Sequence, residues 1–451
     1  MLPIHVAKFG GTSMANAESI QACVEVVERQ NNPTLVVVSA CAGVTNRLVA
    51  ISHSHTQTER QRLLDEIVNI HWQAASALPK DDAVHHHLAQ LHQLLGMLVE
   101  QAPAALESHQ RQSRDDILSF GERCSSRLFS AYWSRATGVT TDVADARSLL
   151  VTNSNFGNAL PNIEKTREYC VTLRACLTEG ARIVTQGFIG ASEDGSTTTL
   201  GRGGSDYSAA ILAAAMDAEQ LNIWTDVAGI YTTDPRICSE ARPLEQISFA
   251  EAAELATFGA KVLHPKSLKP AIESGIKVFV GHSRYPEKGG TLILPEPDER
   301  PSIRALARRK NQTLLTVNSV DMLHATGFLA RLFDILARYD ISVDLVTTSE
   351  VSIALTLDEE GSQANGLSML PEAMLDELRE FATVTIERGL SLIAVIGNDI
   401  GHFGDISPWV LEAASPVPIR LICQGASRHN LCFLVADEQA ENIIKKLHAK
   451  L

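Results

Sequence analysis

The run Thr197-Thr198-Thr199-Leu200-Gly201-Arg202-Gly203-Gly204-Ser205-Asp206 sets three glycines around one arginine, then adds a hydroxyl and a carboxylate. Glycines tolerate positive φ and close approach, so backbone N–H groups can converge on an anion. A helix expected to start near Ser205 adds the partial positive charge of its N-terminus. Arg202 can grip a carboxylate with two parallel hydrogen bonds. The combination suits an acidic ligand beside a phosphate. On its own the run also reads as a glycine-rich surface turn before a helix. KFGGTS (8–13) repeats the design: strand, two glycines, hydroxyls, helix. Lys8 precedes the glycines, which is not the P-loop order, and it ends a strand where ligands of open α/β sheets bind. Two such loops in one domain point to phosphoryl transfer, which needs positioning and charge neutralisation more than covalent chemistry.

The elements that must carry these loops are legible in the pattern. Ile4, Val6 and Lys8-Phe9 read as a short strand, and Ile20, Cys23, Val24 and Val27 lie on one helical face. TLVVVSA (34–40) has the apolar, β-branched character of a strand buried on both faces. Residues 56–135 are mostly helical in pattern. RIVTQGFIG (182–190), LNIWTD (221–226) and IKVFVG (276–281) are further buried-strand candidates, with a helix at 206–217. Alternating strands and helices imply a mainly parallel sheet covered on both faces. GGTLILPEPDERPSI (289–303), with three prolines and a cluster of charges, reads as a linker. Beyond it the chain repeats itself. Residues 327–358 and 404–437 both read helix, strand, turn, strand, each behind a strand candidate (314–318 and 391–397), and a closing helix follows at 438–448.

At 451 residues the chain allows two or three domains. A formal net charge of −14 argues against non-specific nucleic-acid binding. Eight scattered cysteines form no Cys-x-x-Cys pair, so a reduced, cytoplasmic chain without a zinc motif is expected. MLPIHVAKFGG lacks a basic region followed by an apolar run, so no signal peptide is expected, and no stretch is apolar enough to span a membrane.

KFGGTS, the SxxxGVTN run from Ser39 to Asn46, SFGER (119–123), TTLGRGGSD, WTDVAGIYTTDPR (224–236) and FGAKVLHP (258–265) together resemble the motifs of aspartate kinases, in order and across essentially the whole chain. The C-terminal half resembles that family's paired ACT modules, and MLHATGFLARLFDIL with ISVDLVTTSEVS resembles the lysine-sensitive type. The resemblance implies an α/β amino acid kinase fold, a mainly parallel sheet with helices on both faces, over 1–295. Two ACT-type α+β modules would follow at 304–385 and 386–451, with the C-terminal end able to complete the first. It implies transfer of the ATP γ-phosphate to the β-carboxylate of L-aspartate with Mg²⁺, inhibition by L-lysine, and a homodimer or dimer of dimers formed through the modules. Lys8 and Asp206 would be catalytic, Lys8 stabilising the transferring charge and Asp206 organising it. Arg202 and Glu122 would hold the carboxylate and amino group of aspartate, with Ser39 and Thr45 in the same pocket. Lys8, Phe9, Gly10, Gly11, Thr225, Asp226, Tyr231, Arg236, Lys261 and Val262 would line the ATP site. Met322, Ala325, Phe328, Leu329, Ser342, Val343, Asp344, Ser349 and Glu350 would line the lysine site. No protein ligand is assigned to Mg²⁺, which is expected on phosphate oxygens and water. A kinase of another acidic amino acid and a catalytically inactive amino-acid sensor are the alternatives; intact Lys8, Arg202 and Asp206 weigh against the second.

Other features read more simply. His85-His86-His87 point in different directions on a helix and form a solvated surface. Asp234-Pro235 is either a turn or part of the nucleotide site beside Arg236. Leu329, Leu332, Phe333 and Leu336 make a helical stripe expected in the core, while Met322 and Phe328 suit core and effector contact equally.

Overall fold

A computed structural model describes the chain except for residues 1, 102–109, 260–264, 324–325, 359–369, 401–403 and 405. The chain forms two compact units. One comprises residues 1–230, 243–252 and 261–298; the other comprises 231–242, 253–260 and 299–451.

The first unit opens with β1 (His5–Phe9), α1 (Ala17–Glu28), β2 (Thr34–Val38) and α2 (Val44–His53). A helical layer follows: α3 (Gln57–Ala74), α4 (Ala83–Gln101) and the 27-residue α5 (Arg111–Thr137). Then come β3 (Thr141–Ala144), β4 (Val151–Thr152), α6 (Ile163–Thr178), β5 (Arg182–Gln186), β6 (Ile189–Ser192) and β7 (Thr197–Thr199). The chain continues through α7 (Gly204–Ala215), β8 (Gln220–Thr225), β9 (Gln246–Ser248), α8 (Phe249–Thr257), α9 (Pro265–Glu273), β10 (Lys277–His282) and β11 (Gly290–Leu294). An eight-stranded sheet runs β3-β5-β2-β1-β8-β10-β11-β9, and only the β10–β11 pair is antiparallel. β1 lies at its centre, between β2 and β8. All five residues of β2 are buried, as its unbroken apolar run predicts.

Two sequence expectations need correction here. Residues 182–190 are not one strand. Phe188 adopts φ 68°, a left-handed conformation unusual for a bulky residue, and the chain turns from β5 into β6 of a separate three-stranded sheet. The expected linker at 289–303 begins as a strand: Thr291 and Ile293 alternate inward while β11 pairs with β10. Only the residues after Leu294 leave the sheet.

The second unit contains β12 (Ala305–Asn318), α10 (Phe328–Arg338), β13 (Leu345–Thr348), β14 (Ser352–Asp358), α11 (Glu372–Arg379), β15 (Thr383–Ile396), α12 (Ile406–Ala414), β16 (Leu421–Gln424), β17 (Asn430–Ala436) and α13 (Asp437–His448). The repeat read from the sequence is a real duplication of topology. Each copy is strand, helix, strand, strand, helix, and the joint sheet β13-β14-β12-β15-β17-β16 is palindromic about its central pair. The central strands pair antiparallel from Ala305–Ile396 to Asn318–Thr383. Each strand serves both copies. Leu315, Val317, Val384 and Ile386 pack with α10 and α11, whereas Leu306, Ile393 and Val395 pack with α12 and α13. The second core is therefore completed by the start of the first copy's own strand β12, and α13 packs in that second core.

The helical stripe of α10 is only half core. Leu332 and Leu336 are buried, but Leu329 and Phe333 are exposed. Leu332→Ala should cost about 2–5 kcal/mol. Leu411→Ser, at an exposed position of α12, should change stability by less than about 0.5 kcal/mol. Urea unfolding of both variants checks the contrast, and equal losses would contradict it.

Candidate active site

Lys8 occupies the carboxyl end of the central strand and is 8% exposed. Its ammonium lies 2.5 Å from Oδ1 of Asp206, in the first turn of α7. The two glycine loops read from the sequence thus meet through their charged residues. Gly203, at φ 72°, caps the start of α7 in a conformation that a side chain would resist. The Ser267 hydroxyl donates to its carbonyl. Gly10 N–H donates to the Trp224 carbonyl, tying the first loop to β8. Arg202 is exposed at the tip of the second loop.

The acidic residue of SFGER is buried on α5. Glu122 Oε1 accepts from Ala40 N–H at 3.1 Å, and Oε2 has no hydrogen-bond partner. Burial pushes its carboxyl up to about 8. Gly121 makes this approach possible, since a Cβ there would meet Ala40 Cβ at 2.7 Å. Ser39 adjoins the same helix: its carbonyl accepts from the Ser125 hydroxyl and its N–H donates to the Phe9 carbonyl. Thr45 lies in the first turn of α2. Lys8, Gly10, Gly11, Ser39, Thr45, Glu122, Arg202, Asp206, Thr225 and Asp226 all belong to the first unit.

Other expected positions behave differently. The Phe9 ring is fully buried against Phe129 and Trp224, so only its backbone is available to a ligand. Tyr231 and Arg236 belong to the second unit, where Arg236 pairs with Asp234 at 2.8 Å. Lys261, Val262 and Ala325 lie outside the described residues. In the first regulatory copy, Met322, Phe328 and Val343 pack partly buried on the local core. Asp344 pairs with Arg309 at 3.2 Å, and Ser349 bonds to Ser352 across the β13–β14 turn. Leu329, Ser342 and Glu350 are exposed.

Asp115 was missed in the sequence. Its buried carboxylate accepts from Gly157 N–H, Thr199 N–H and the Thr199 hydroxyl, so it fixes β7 just ahead of the GRGG loop. Burial still holds its carboxyl above the ordinary value. No motif marks it, because its partners lie 42 and 84 residues away. A cavity of about 270 Å³ near the first loop is lined by Thr12, Asn16, Asp226, His282 and Arg284 among others. It lies at the carboxyl ends of β1, β8 and β10, and His282 and Arg284 were also unforeseen.

Among the described residues, one group of three metal-type donors lies within 4.8 Å: His71, His92 and Cys124, in the helical layer. The two rings stack and share a 2.9 Å hydrogen bond. Burial holds both imidazoles low, at about 3 and about 4. These soft, buried donors do not fit Mg²⁺, a hard cation that takes oxygen ligands.

Glu122 generates a pH prediction. An unfolded chain ionises this group near 4.5, whereas the folded one holds its proton to about 8. The carboxyl therefore costs stability increasingly as pH rises through that window, and the cost levels off above it. Glu122→Gln should gain on the wild type between about pH 5 and 8 in thermal unfolding. A difference that does not change with pH would contradict the buried, neutral carboxyl.

The chain matches the amino acid kinase family model over residues 3–282 and an ACT domain model over 393–451. It is 47% identical to the lysine-sensitive aspartokinase 3 of Escherichia coli, with all of both chains covered. It is 36% identical to the chloroplastic aspartokinase 3 of Arabidopsis thaliana, covering 98% of this chain and 81% of that one. Two crystal structures of E. coli aspartokinase III are similar over 99% of both chains. The complex with aspartate and ADP gives a TM-score of 0.86, and the complex with lysine and aspartate gives 0.88.

Proposed function

We propose the roles that follow on one premise: the chain belongs to the amino acid kinase family and is an aspartokinase. It transfers the γ-phosphate of ATP to the β-carboxylate of L-aspartate, giving 4-phospho-L-aspartate, and L-lysine inhibits it. The observation that carries the reading is the Lys8–Asp206 ion pair joining the two glycine loops. The acceptor carboxylate is ionised at neutral pH, so no general base is needed. What the reaction needs is relief of repulsion between two anions. Lys8 provides a fixed positive charge, and Asp206 keeps it aimed. When bound with the nucleotide, Mg²⁺ would neutralise phosphate charge, and no protein ligand is assigned to it. Arg202 takes the α-carboxylate of aspartate. Glu122 takes its ammonium through the Oε2 that lacks a partner, with Ser39 and Thr45 alongside. Gly10, Gly11 and the Phe9 backbone, Thr225, Asp226, Tyr231, Arg236, Lys261 and Val262 hold the nucleotide.

Lysine is read at the first regulatory copy. Its ammonium groups need carboxylates and its carboxylate needs backbone donors. The start of α10 behind Met322 and Ala325, with Phe328 and Leu329, offers the donors. Ser342, Val343, Asp344, Ser349 and Glu350 offer the acids and the lining. Exposed Leu329, Phe333, Val346 and Val351, beside the edge strand β13, support a dimer formed through this copy. The kinase domain is taken as 1–295 and the modules as 304–385 and 386–451. Among the described residues no helix is long and apolar enough to cross a membrane. A cytoplasmic location is part of the proposal and is supported by eight free cysteines.

Hydroxylamine trapping of the acyl phosphate tests the reaction. Aspartate should give product, glutamate should not, and lysine should suppress the yield. Arg202→Ala should raise the KM for aspartate roughly tenfold or more while sparing that for ATP. The reverse pattern would remove Arg202 from the aspartate pocket.

Asp344→Ala and Glu350→Ala should each release lysine inhibition while keeping uninhibited turnover. Calorimetry should then show lysine affinity lost in both. Undiminished affinity would move the effector to the second copy.

A further inference from the structure

Residues 231–242 leave the kinase sheet after β8 and return at Pro243, yet they pack within the regulatory unit. Thr232 is the point of attachment. Its carbonyl accepts from Leu306 N–H of β12 at 2.7 Å. Its hydroxyl accepts from Arg242 N–H at 2.9 Å and shares a 2.8 Å hydrogen bond with Nε2 of His448. Nδ1 of the same ring faces Sγ of Cys238 at 3.5 Å. One imidazole thus bridges both limbs of the segment. Ile237 packs on the second regulatory core, and the Arg242 guanidinium donates to the carbonyl of Leu451.

The helix that supplies His448 is itself fixed at its other end. Buried Arg308 of β12 pairs with Asp437 at 3.0 Å and Glu441 at 2.7 Å, and it donates to the Ser391 hydroxyl of β15. The central strands of the regulatory sheet, α13 and the 231–242 segment therefore form one hydrogen-bonded body. His448 is 5% exposed, and burial, with Arg242 nearby, holds its imidazole below the ordinary value.

We infer that His448 is a positioning residue for the reaction: through Thr232 and Cys238 it fixes, within the second unit, the backbone that carries Tyr231 and Arg236, the proposed nucleotide contacts. This rests on reading Tyr231 and Arg236 as nucleotide contacts. A lysine-induced shift of β12 or α13 would reach Thr232 through one hydrogen bond from each.

Steady-state kinetics on the full-length enzyme test it, with five variants: His448→Ala, His448→Gln, Thr232→Val, the double His448→Ala/Thr232→Val, and Arg236→Ala. Arg236→Ala should raise the KM for ATP, which establishes the nucleotide reading. His448→Ala and Thr232→Val should each raise it roughly three- to tenfold, with the KM for aspartate changed less than about twofold. The double variant should be no worse than the more affected single. His448→Gln, which retains an acceptor, should recover most of the loss. If Arg236→Ala weakens ATP but His448→Ala and Thr232→Val do not, the positioning role is wrong and the nucleotide reading stands. If Arg236→Ala has no effect, the nucleotide reading falls and takes this role with it. If the KM for both substrates rises equally as thermal stability drops, His448 is structural only. Should His448→Ala not fold, Thr232→Val and His448→Gln carry the same comparison.

Discussion

A lysine ammonium and an aspartate carboxylate held 2.5 Å apart, with little exposure to water, set the terms for the kinase unit. Removing two charges from water costs several kcal/mol each, and only good geometry offsets that cost. The fold supplies the geometry from two directions. Lys8 is fixed by the register of β1, which is paired on both sides by β2 and β8. Asp206 is fixed by α7, whose start depends on Gly203 and whose approach strand is held by Asp115. The pair is weak evidence for stability. In the proposed reaction, its use is to keep one positive charge aimed where two anions must meet.

The rest of the site follows the same economy of buried polarity. Glu122 is brought in by a long helix and satisfied on one oxygen only, which makes the pocket one cation short. A bound ammonium would both complete it and ionise it. In the regulatory unit the constraint is shared backbone. Because β12 and β15 each run through both copies, neither copy can shift its central strand without shifting the other's core. That is a mechanical reason for an effector at the first copy to be felt at α13.

Much of this was legible in the sequence where the signal is local. The β2 run and the helical face of α1 emerged as read, because burial on both faces or on one stripe writes itself into consecutive residues. The second glycine loop was legible because Gly201 and Gly203 take positive φ, a backbone few other residue types tolerate. The duplication was legible from element order. What was hidden is non-local. Asp115 looks like any helix acid until Gly157 and Thr199 arrive. Phe188 breaks a strand by a backbone conformation that its residue type disfavours. Leu329 and Phe333 match a core period but face outward, since a helix at an open surface can carry apolar residues that its own chain does not cover. The allegiance of residues 231–242 to the regulatory unit has no signature in their own sequence; it is written in His448 and Leu306, far along the chain.

The most direct measurement is a stability and turnover cycle on Lys8→Met, Asp206→Leu and the double variant. Each single leaves one buried charge uncompensated and should lose about 3–5 kcal/mol, whereas the double should recover most of that. Turnover should stay near the floor in all three, because the aimed charge is gone in each. A double variant that regained turnover, or a Lys8→Met enzyme that kept it, would contradict the ion pair as the organising contact of the site.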